Sequence, residues 1–242
     1  MDQQYTPFSF LDRLLPAERQ ALHTVSHLHA IKKDDTIFRA NELNSVIYIV
    51  IEGRVKITRL SKHGRELIQW FCFPGEIFGL ARDSQGQRGL YAHALSDTRL
   101  MCIQSGNFDE FLLQQPRIAL LVVKQLATRL RTVSDMLLNM TSEDAHVRFI
   151  NLLKRLSELN GEQLNTDNAA DKGVFIDIYL THQEMADMIG VCRQTVSSMV
   201  GSLKHHGVIE TNRKGLTIKS PHLLEMFYQQ PKLFDSEHLT LA

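Results

Sequence analysis

The chain has 242 residues, 43% hydrophobic and 22% charged, and its 27 basic and 27 acidic side chains cancel to a net charge of +0. That is apolar material for one large or two modest cores; no run reaches the roughly 18 apolar residues of a membrane span, and the start MDQQYTPFSF lacks a signal peptide's basic-then-apolar layout, so a cytoplasmic protein without membrane partners is expected. Cys72, Cys102 and Cys192 are odd in number and carry no paired spacing, which argues against a disulfide framework and a zinc site.

In chain order, residues 8–30 hold Phe8, Phe10, Leu11, Leu14 and Leu15 and predict short helices packed on the adjoining part of the chain. His23 and His27 fall four apart on one helical face, with His29 nearby, but no acidic or cysteine partner accompanies them. They read as solvent-facing, and no metal is expected.

From residue 36 the pattern changes to short β-branched or aromatic runs, predicting strands at 36–38, 46–51, 55–60, 67–73, 90–94 and 99–103. Gly53, Gly64, Gly75 and Gly86 recur every eleven residues, the turn interval of a rolled antiparallel domain. Between strands lie FPGEIFGL at 73–80, a polar loop at 82–87, and Arg88-Gly89. Glycines here would let backbone amides approach a small anion that Arg88 could pair with; the plainer reading is two turns and a surface arginine.

After a short helix at 108–114 and a break at Pro116, about 24 residues run to Met140 without glycine or proline, a single helix near 36 Å long. Ala119, Val123, Leu126, Leu130, Val133, Leu137 and Met140 step alternately by four and three, the repeat of a seam for a parallel partner helix, hence a coiled-coil homodimer. Leu120, Leu121, Val122 and Met136 suggest a second face on the β domain, and a helix buried within its own domain is the alternative. Residues 140–144 form a candidate hinge. Asp144 then caps a helix at 145–159 with Val147, Ile150, Leu153 and Leu156 on its core side. The polar stretch 160–173, NGEQLNTDNAADKG, reads as an exposed loop, and 175–180 as a strand.

The segment THQEMADMIGVCRQTVSSMVGSLKHHGVI, 181–209, carries the clearest signal. Thr181 and Glu184 make a capping box, Met185, Ala186, Met188 and Ile189 give an apolar face, and Gly190 stops the helix. A turn of Gly190, Val191 and Cys192 leads to a second helix from Arg193, whose Val196, Met199, Val200 and Leu203 form one buried stripe. Arg193, Gln194, Ser197 and Ser198, with Thr195 beside them, are left facing outward; these types read base edges in a major groove. Outward polar residues that merely face water are the bland alternative. A hairpin with the turn Asn212, Arg213, Lys214, Gly215 comes next, a wing whose Arg213, Lys214 and Lys219 can meet phosphates. From 190 to 220 the cations Arg193, Lys204, Arg213, Lys214 and Lys219 face Glu210 alone, so a neutral chain is basic at one end. A helix at 221–228 ends the ordered pattern, and residues from Gln229 are expected to be loose.

A β-roll, a long helix, a hinge and a winged helix-turn-helix together read as an α+β chain of a rolled β domain, a dimerisation helix and a DNA-binding domain, divided at 1–115, 116–141 and 142–242. This order, with THQEMADMIGVCRQTVSSMVGSLKHHGVI and PGEIFGL, resembles the bacterial catabolite-activator and fumarate-nitrate-regulator (CRP/FNR) superfamily of transcription factors over roughly residues 8–220. By that resemblance the roll is expected to be a cyclic-nucleotide-binding-like jelly roll.

The resemblance implies base contacts by Arg193, Gln194 and Ser197 or Ser198, and phosphate anchoring by Thr181, His182 and Gln183. It implies an effector pocket of Gly75, Glu76, Ile77, Phe78, Gly79, Leu80, Arg88 and Gly89, with Val133 and Ser134 from the long helix. It also implies RNA polymerase as a partner, contacted through the loop 162–172, and an activator rather than a repressor.

Departures narrow these expectations. Gln194 and Ser198 replace the glutamate and second arginine of many members, so the usual catabolite-activator half-site is not expected, and RQTVSS is more similar to the haem-containing CO sensor. That sensor's haem ligands correspond to Gly79 and Ala81, which cannot ligate iron, and no cysteine precedes Cys72 to hold an iron-sulfur cluster. Leu80 and Arg88-Gly89 stand where cyclic-nucleotide members have a glutamate and an Arg-Ser pair. Losing that carboxylate forfeits about 1–3 kcal/mol of charged hydrogen bonding, so cyclic AMP is not favoured. Cys192 replaces a serine at the recognition helix, where helix amides and Arg193 could lower a thiol pKa; a buried, inert thiol is the default expectation there, and a redox switch is the competing hypothesis.

The competing class is a ligand-binding regulatory module acting through protein partners. Catalysis is not expected, because no Walker-type loop, nucleophile elbow or paired metal motif is present.

Overall fold

A computed structural model of the chain describes residues 9–42, 45–64, 66–80, 89–164 and 173–235, and it divides into two compact units, Pro7–Ser134 and Asp135–Ala242.

The first unit begins with a 3-10 turn, Leu11–Arg13, and helix α1, Pro16–Thr24, followed by strands β1 His27–Ile31, β2 Thr36–Phe38, β3 Val46–Glu52, β4 Val55–Leu60, β5 Glu66–Cys72, β6 Ile77–Phe78, β7 Tyr91–Ala94 and β8 Thr98–Gln104. Helix α2, Ser105–Gln114, leads into helix α3, Pro116–Ser142, whose 27 residues span about 40 Å. The strands form two antiparallel sheets, ordered β1-β8-β3-β6 and β2-β7-β4-β5.

The run VIYIVI in β3 lacks polar alternation because both of its faces are covered. Ile47 and Ile49 join Met101 and Ile103 of β8 in a core shared with Leu22 of α1, Phe108 of α2 and Ile118, Leu121 and Val122 of α3. Tyr48 and Val50 point the other way and join Val55, Ile57 and Ala92 of the second sheet. Within that layer the rings of Tyr48 and Phe78 stack 5.1 Å apart, and those of Phe38 and Phe78 6.2 Å apart.

The expected helical run over 8–30 is corrected at its end. Helix α1 stops at Thr24, and His27 and His29 lie in strand β1, so His23 and His27 share no helical face, although all three histidines are exposed. On α3, Leu121 and Val122 do face the roll, but Leu120 is 61% exposed and belongs to no second face. The side chains of Met136 and Met140, and the loop 82–87 with Gly86, lie outside the described residues.

The second unit holds helix α4, Ala145–Asn160, strands β9 Gly161–Gln163 and β10 Val174–Ile176, helices α5 His182–Ile189 and α6 Arg193–His205, strands β11 Ile209–Thr211 and β12 Leu216–Ile218, helix α7 Pro221–Gln229 and a 3-10 turn Pro231–Asp235. Its strands form one antiparallel sheet, β11-β12-β10-β9. Asp144 caps α4, its carboxylate accepting from the His146 amide at 2.9 Å. Phe149, Ile150, Leu153 and Leu156 of α4 are buried, whereas Val147 is half-buried.

Three expectations are corrected here. The polar stretch 160–173 opens with β9, paired with β10 although all three of its residues are exposed, and the strand expected at 175–180 ends at Ile176. The residues after Gln229 are not loose through Phe234, which is buried with its ring centroid 5.0 Å from that of Phe227 and 4.5 Å from the His146 ring.

Candidate nucleic-acid interface

The Thr181 hydroxyl accepts from the Glu184 amide at 3.1 Å, and the Glu184 carboxylate accepts from the Thr181 amide at 2.9 Å, closing the capping box that starts α5. Gly190 ends α5 at φ 70°, the left-handed region where a side chain costs most, and the Gly190 and Val191 amides both donate to the Ala186 carbonyl. Helix α6 then buries Val196, Met199, Val200 and Leu203 on one stripe, with Met185, Ala186 and Ile189 buried on α5; Met188 is only half-buried. This packing fixes which side of α6 remains outside.

That outer side carries Arg193, Gln194, Ser198 and Gly201, all exposed. Ser197 is half-buried, and its hydroxyl lies 2.8 Å from His182 Nδ1, tying the first turn of α5 to α6. Thr195 is also half-buried, with its hydroxyl 3.0 Å from Cys192 Sγ. The five expected base-reading residues therefore divide: Arg193, Gln194 and Ser198 are open to a ligand, while the hydroxyls of Ser197 and Thr195 are engaged within the motif.

Of the expected phosphate anchors, Gln183 donates its side-chain amide to Asp187 at 2.9 Å. Burial, then the neighbouring charges of Arg193 and Lys204, pull the His182 pKa below the usual histidine value. The site thus favours the neutral ring, which can hydrogen-bond a phosphate.

In the wing, the Asn212 side-chain oxygen accepts from the Lys214 and Gly215 amides at 2.8 and 3.0 Å, holding the tip that exposes Arg213 and Lys214. A Cβ on Gly215 would stand 2.1 Å from the Ile176 carbonyl oxygen, so only glycine lets the wing lie against β10. Lys219 pairs with Glu210 at 2.8 Å, leaving Arg213 and Lys214 as the cations at the tip.

A cleft of about 510 Å³ opens between the start of α5 and the wing, lined by Arg193, His182 and Asn212 together with the apolar Leu153, Ile178 and Leu216.

Cys192 is exposed and caps α6. The Thr195 hydroxyl, then the backbone amides of the first turn, hold its thiol below the ordinary cysteine pKa. The buried thiol expected by default at this position is corrected in its burial, since Cys192 is exposed. Burial instead pushes Cys72 up to about 12 and Cys102 up to about 11.

The expected effector residues of the first unit are placed unevenly. Ile77 and Phe78 are core residues. The amide of Gly75 donates to the Val50 carbonyl and that of Glu76 to the Phe73 carbonyl, so neither is available to an anion. Gly79 and Leu80 are half-buried, and Leu80 has no acceptor for a ribose hydroxyl. Gly89 is exposed and Arg88 lies outside the described residues. On α3, Val133 and Ser134 are exposed, with the Ser134 hydroxyl donating to the Leu130 carbonyl at 3.0 Å.

The polar groups that the roll and α3 do bring together went unpredicted. Buried Glu76 lies 3.7 Å from Arg129 and accepts from the Phe73 amide at 2.9 Å. The Arg129 guanidinium covers the Trp70 ring at 4.9 Å, and buried Gln125 donates to the Ile77 carbonyl at 3.2 Å. The available signal was spacing: Gln125 and Arg129 continue the stripe of Ile118, Leu121 and Val122.

Among the described residues no cluster of three or more metal-ligating side chains occurs, and no helix is long and apolar enough to cross a membrane.

Residues 147–227 match the Crp-like helix-turn-helix domain family, and residues 28–115 match the cyclic nucleotide-binding domain family. The chain is 26% identical over 192 residues to the global nitrogen regulator of Synechocystis sp., covering 78% of this chain and 83% of that protein. It is 24% identical over 197 residues to the cAMP-activated global transcriptional regulator CRP of Haemophilus influenzae, covering 81% and 85%. A mutant of CooA from Carboxydothermus hydrogenoformans shares the fold with a TM-score of 0.68 at 20% identity, covering 93% of this chain and 97% of that one.

Proposed function

The chain belongs to the CRP/FNR superfamily and is a DNA-binding transcription regulator, and on that premise we propose that it acts as a homodimer reading a palindromic operator through Arg193, Gln194 and Ser198 of α6. The observation that carries this reading is the outer side of α6, where a guanidinium, a carboxamide and a small hydroxyl stand exposed on a helix whose other side is locked into the core. These groups match the acceptor pairs of guanine and adenine in a major groove. Ser197 and Thr195 support the helix and contact DNA only by giving up their present partners.

Arg213 and Lys214 at the wing tip, with His182 at the start of α5, supply phosphate contacts that set register without reading sequence, and Thr181 joins them only by giving up its hydroxyl's bond to Glu184. The partner copy docks along α3, where Leu126, Leu130, Val133 and Leu137 are 44%, 68%, 48% and 65% exposed, an apolar stripe on a single chain. Ala119 is half-buried at the start of that seam.

A signal enters where Arg129 and Gln125 meet the roll. An effector that separates Arg129 from Glu76 must give the buried carboxylate another hydrogen-bond donor and the guanidinium another acceptor, so a ligand carrying both a donor and an acceptor group is implied. Leu80 disfavours cyclic AMP. The superfamily supports activation through RNA polymerase in the cytoplasm; the described part of the loop expected to contact the polymerase, 162–164, is exposed.

The test is a binding titration of wild type and Arg193→Ala on a palindromic duplex enriched by the protein from a randomised pool and on a scrambled duplex. The variant should lose about 1–3 kcal/mol on the enriched site and little on the scrambled one. Equal losses on both duplexes would remove Arg193 from base reading.

A further inference from the structure

We propose that Tyr179 is a DNA-backbone contact, its phenol donating to a phosphate oxygen and its ring lying against the adjoining deoxyribose inside the cleft between α5 and the wing. This rests on the reading of α6 as the base-reading helix. It extends the interface to a residue that neither the motif nor its cations point to.

The segment joining β10 to α5 is extended, and its side chains alternate. Ile176 and Ile178 are buried, whereas Tyr179 is 59% exposed. Ile178 therefore acts as a pin that holds Tyr179 outward, two residues before Thr181, the cap of α5. A large aromatic residue left this exposed gains nothing from the core, and among the described residues its phenol has no hydrogen-bond partner. Tyrosine presents an apolar body with one polar tip, suited to a ligand that is itself part apolar and part charged.

The cleft has that dual character. Ile178, Leu180 and Leu216 give it apolar lining, while His182, Arg193 and Asn212 surround it with polar groups. Among the described residues that line it are a guanidinium and no carboxylate, so it favours an anion. Arg193 belongs both to the cleft and to the outer side of α6. A duplex seated on α6 so that Arg193 reaches a base edge must carry its backbone past this residue, toward the wing turn. The repeating unit of that backbone, an apolar sugar and an anionic phosphate, fits a part-apolar cleft that includes a guanidinium.

Because the phenol is neutral, its contact adds affinity without displacing a condensed counterion. That separates Tyr179 from Arg213 and Lys214, whose loss must flatten the salt dependence.

The experiment measures Kd for Tyr179→Ala, Tyr179→Phe, Arg193→Ala and wild type, each as the full chain, on the pool-enriched palindrome and a scrambled duplex at three salt concentrations. Thermal melts confirm that the variants fold, as expected for an exposed side chain. Tyr179→Ala should weaken binding about tenfold on both duplexes, and Tyr179→Phe about threefold on both, with the slope of log K against log salt unchanged. Tyr179→Ala binding as wild type while Arg193→Ala loses the palindrome would place Tyr179 outside the footprint and overturn the proposal. A loss confined to the palindrome, or a changed salt slope, would overturn the backbone assignment. Wild-type binding by both alanine variants would instead overturn the reading of α6 on which the proposal rests.

Discussion

His182 and Cys192 show how neighbours, rather than residue type, set the chemistry of the interface. Burial first, then the charges of Arg193 and Lys204, lower the His182 pKa, so the folded chain disfavours the charged ring. For a histidine with a depressed folded pKa, the unfolded state binds more protons between the two values. Stability is therefore full above the unfolded value near 6.5 and falls as pH drops through it toward the folded value. Thermal melts from pH 7.5 to 5.5 should show a decline that His182→Gln reduces; an identical decline in the variant would assign the effect to other groups. At Cys192 the sign is opposite to that at Cys72 and Cys102, because one thiol meets a hydroxyl and helix amides while the others are buried. Mass spectrometry of native protein treated briefly with iodoacetamide should find Cys192 alkylated well before Cys72 and Cys102. Comparable labelling of all three would contradict that placement. The type and exposure of Arg193 and Gln194 were legible in the sequence from the helical stripe. The engagement of Ser197 by His182 was not, since it depends on the crossing of two helices that brings residues fifteen apart in sequence together.

At the scale of elements, patterns that track burial were readable and those that track pairing alone were not. Strands β2 and β4 lie where their β-branched runs place them, and α4 begins at its Asp144 cap. Strand β1, HLHAI, has four exposed residues out of five, so its membership in a sheet comes from the ladder to β8 and leaves no hydrophobic alternation to read. Strand β9 is the same case, and β6 is only two residues long. The last turn escaped for another reason. Residues 231–235 contribute one buried ring, Phe234, which meets His146 at the start of α4 and Phe227 of α7, and Ser202 of α6 donates to its carbonyl at 2.9 Å. Three helices are thereby tied by one side chain and one backbone acceptor. Phe234→Ala should destabilise the second unit by about 3 kcal/mol in urea unfolding, the low end for an aromatic truncation because the site borders solvent. A change below about 0.5 kcal/mol would show the turn to be dispensable.

For the whole molecule, the division of labour comes from where apolar surface is left over. The roll covers both faces of β3 and one side of α3, and the winged unit covers one side of α6. What remains is a stripe from Leu126 to Leu137, which a second copy of α3 can bury, and a polar recognition face, which cannot bind a long palindrome as a single copy. Twofold pairing would set two recognition helices one helical turn of DNA apart, about 34 Å, so that half-site spacing becomes a property of the dimer. Sedimentation equilibrium of wild type and Leu130→Asp, alone and with the pool-enriched palindrome, tests this most directly. The account predicts a wild-type dimer that binds one duplex as a two-to-one complex, and a Leu130→Asp monomer that loses the palindrome while keeping its fold. A wild-type protein that stays monomeric with and without the duplex, binding each half-site independently, would contradict it.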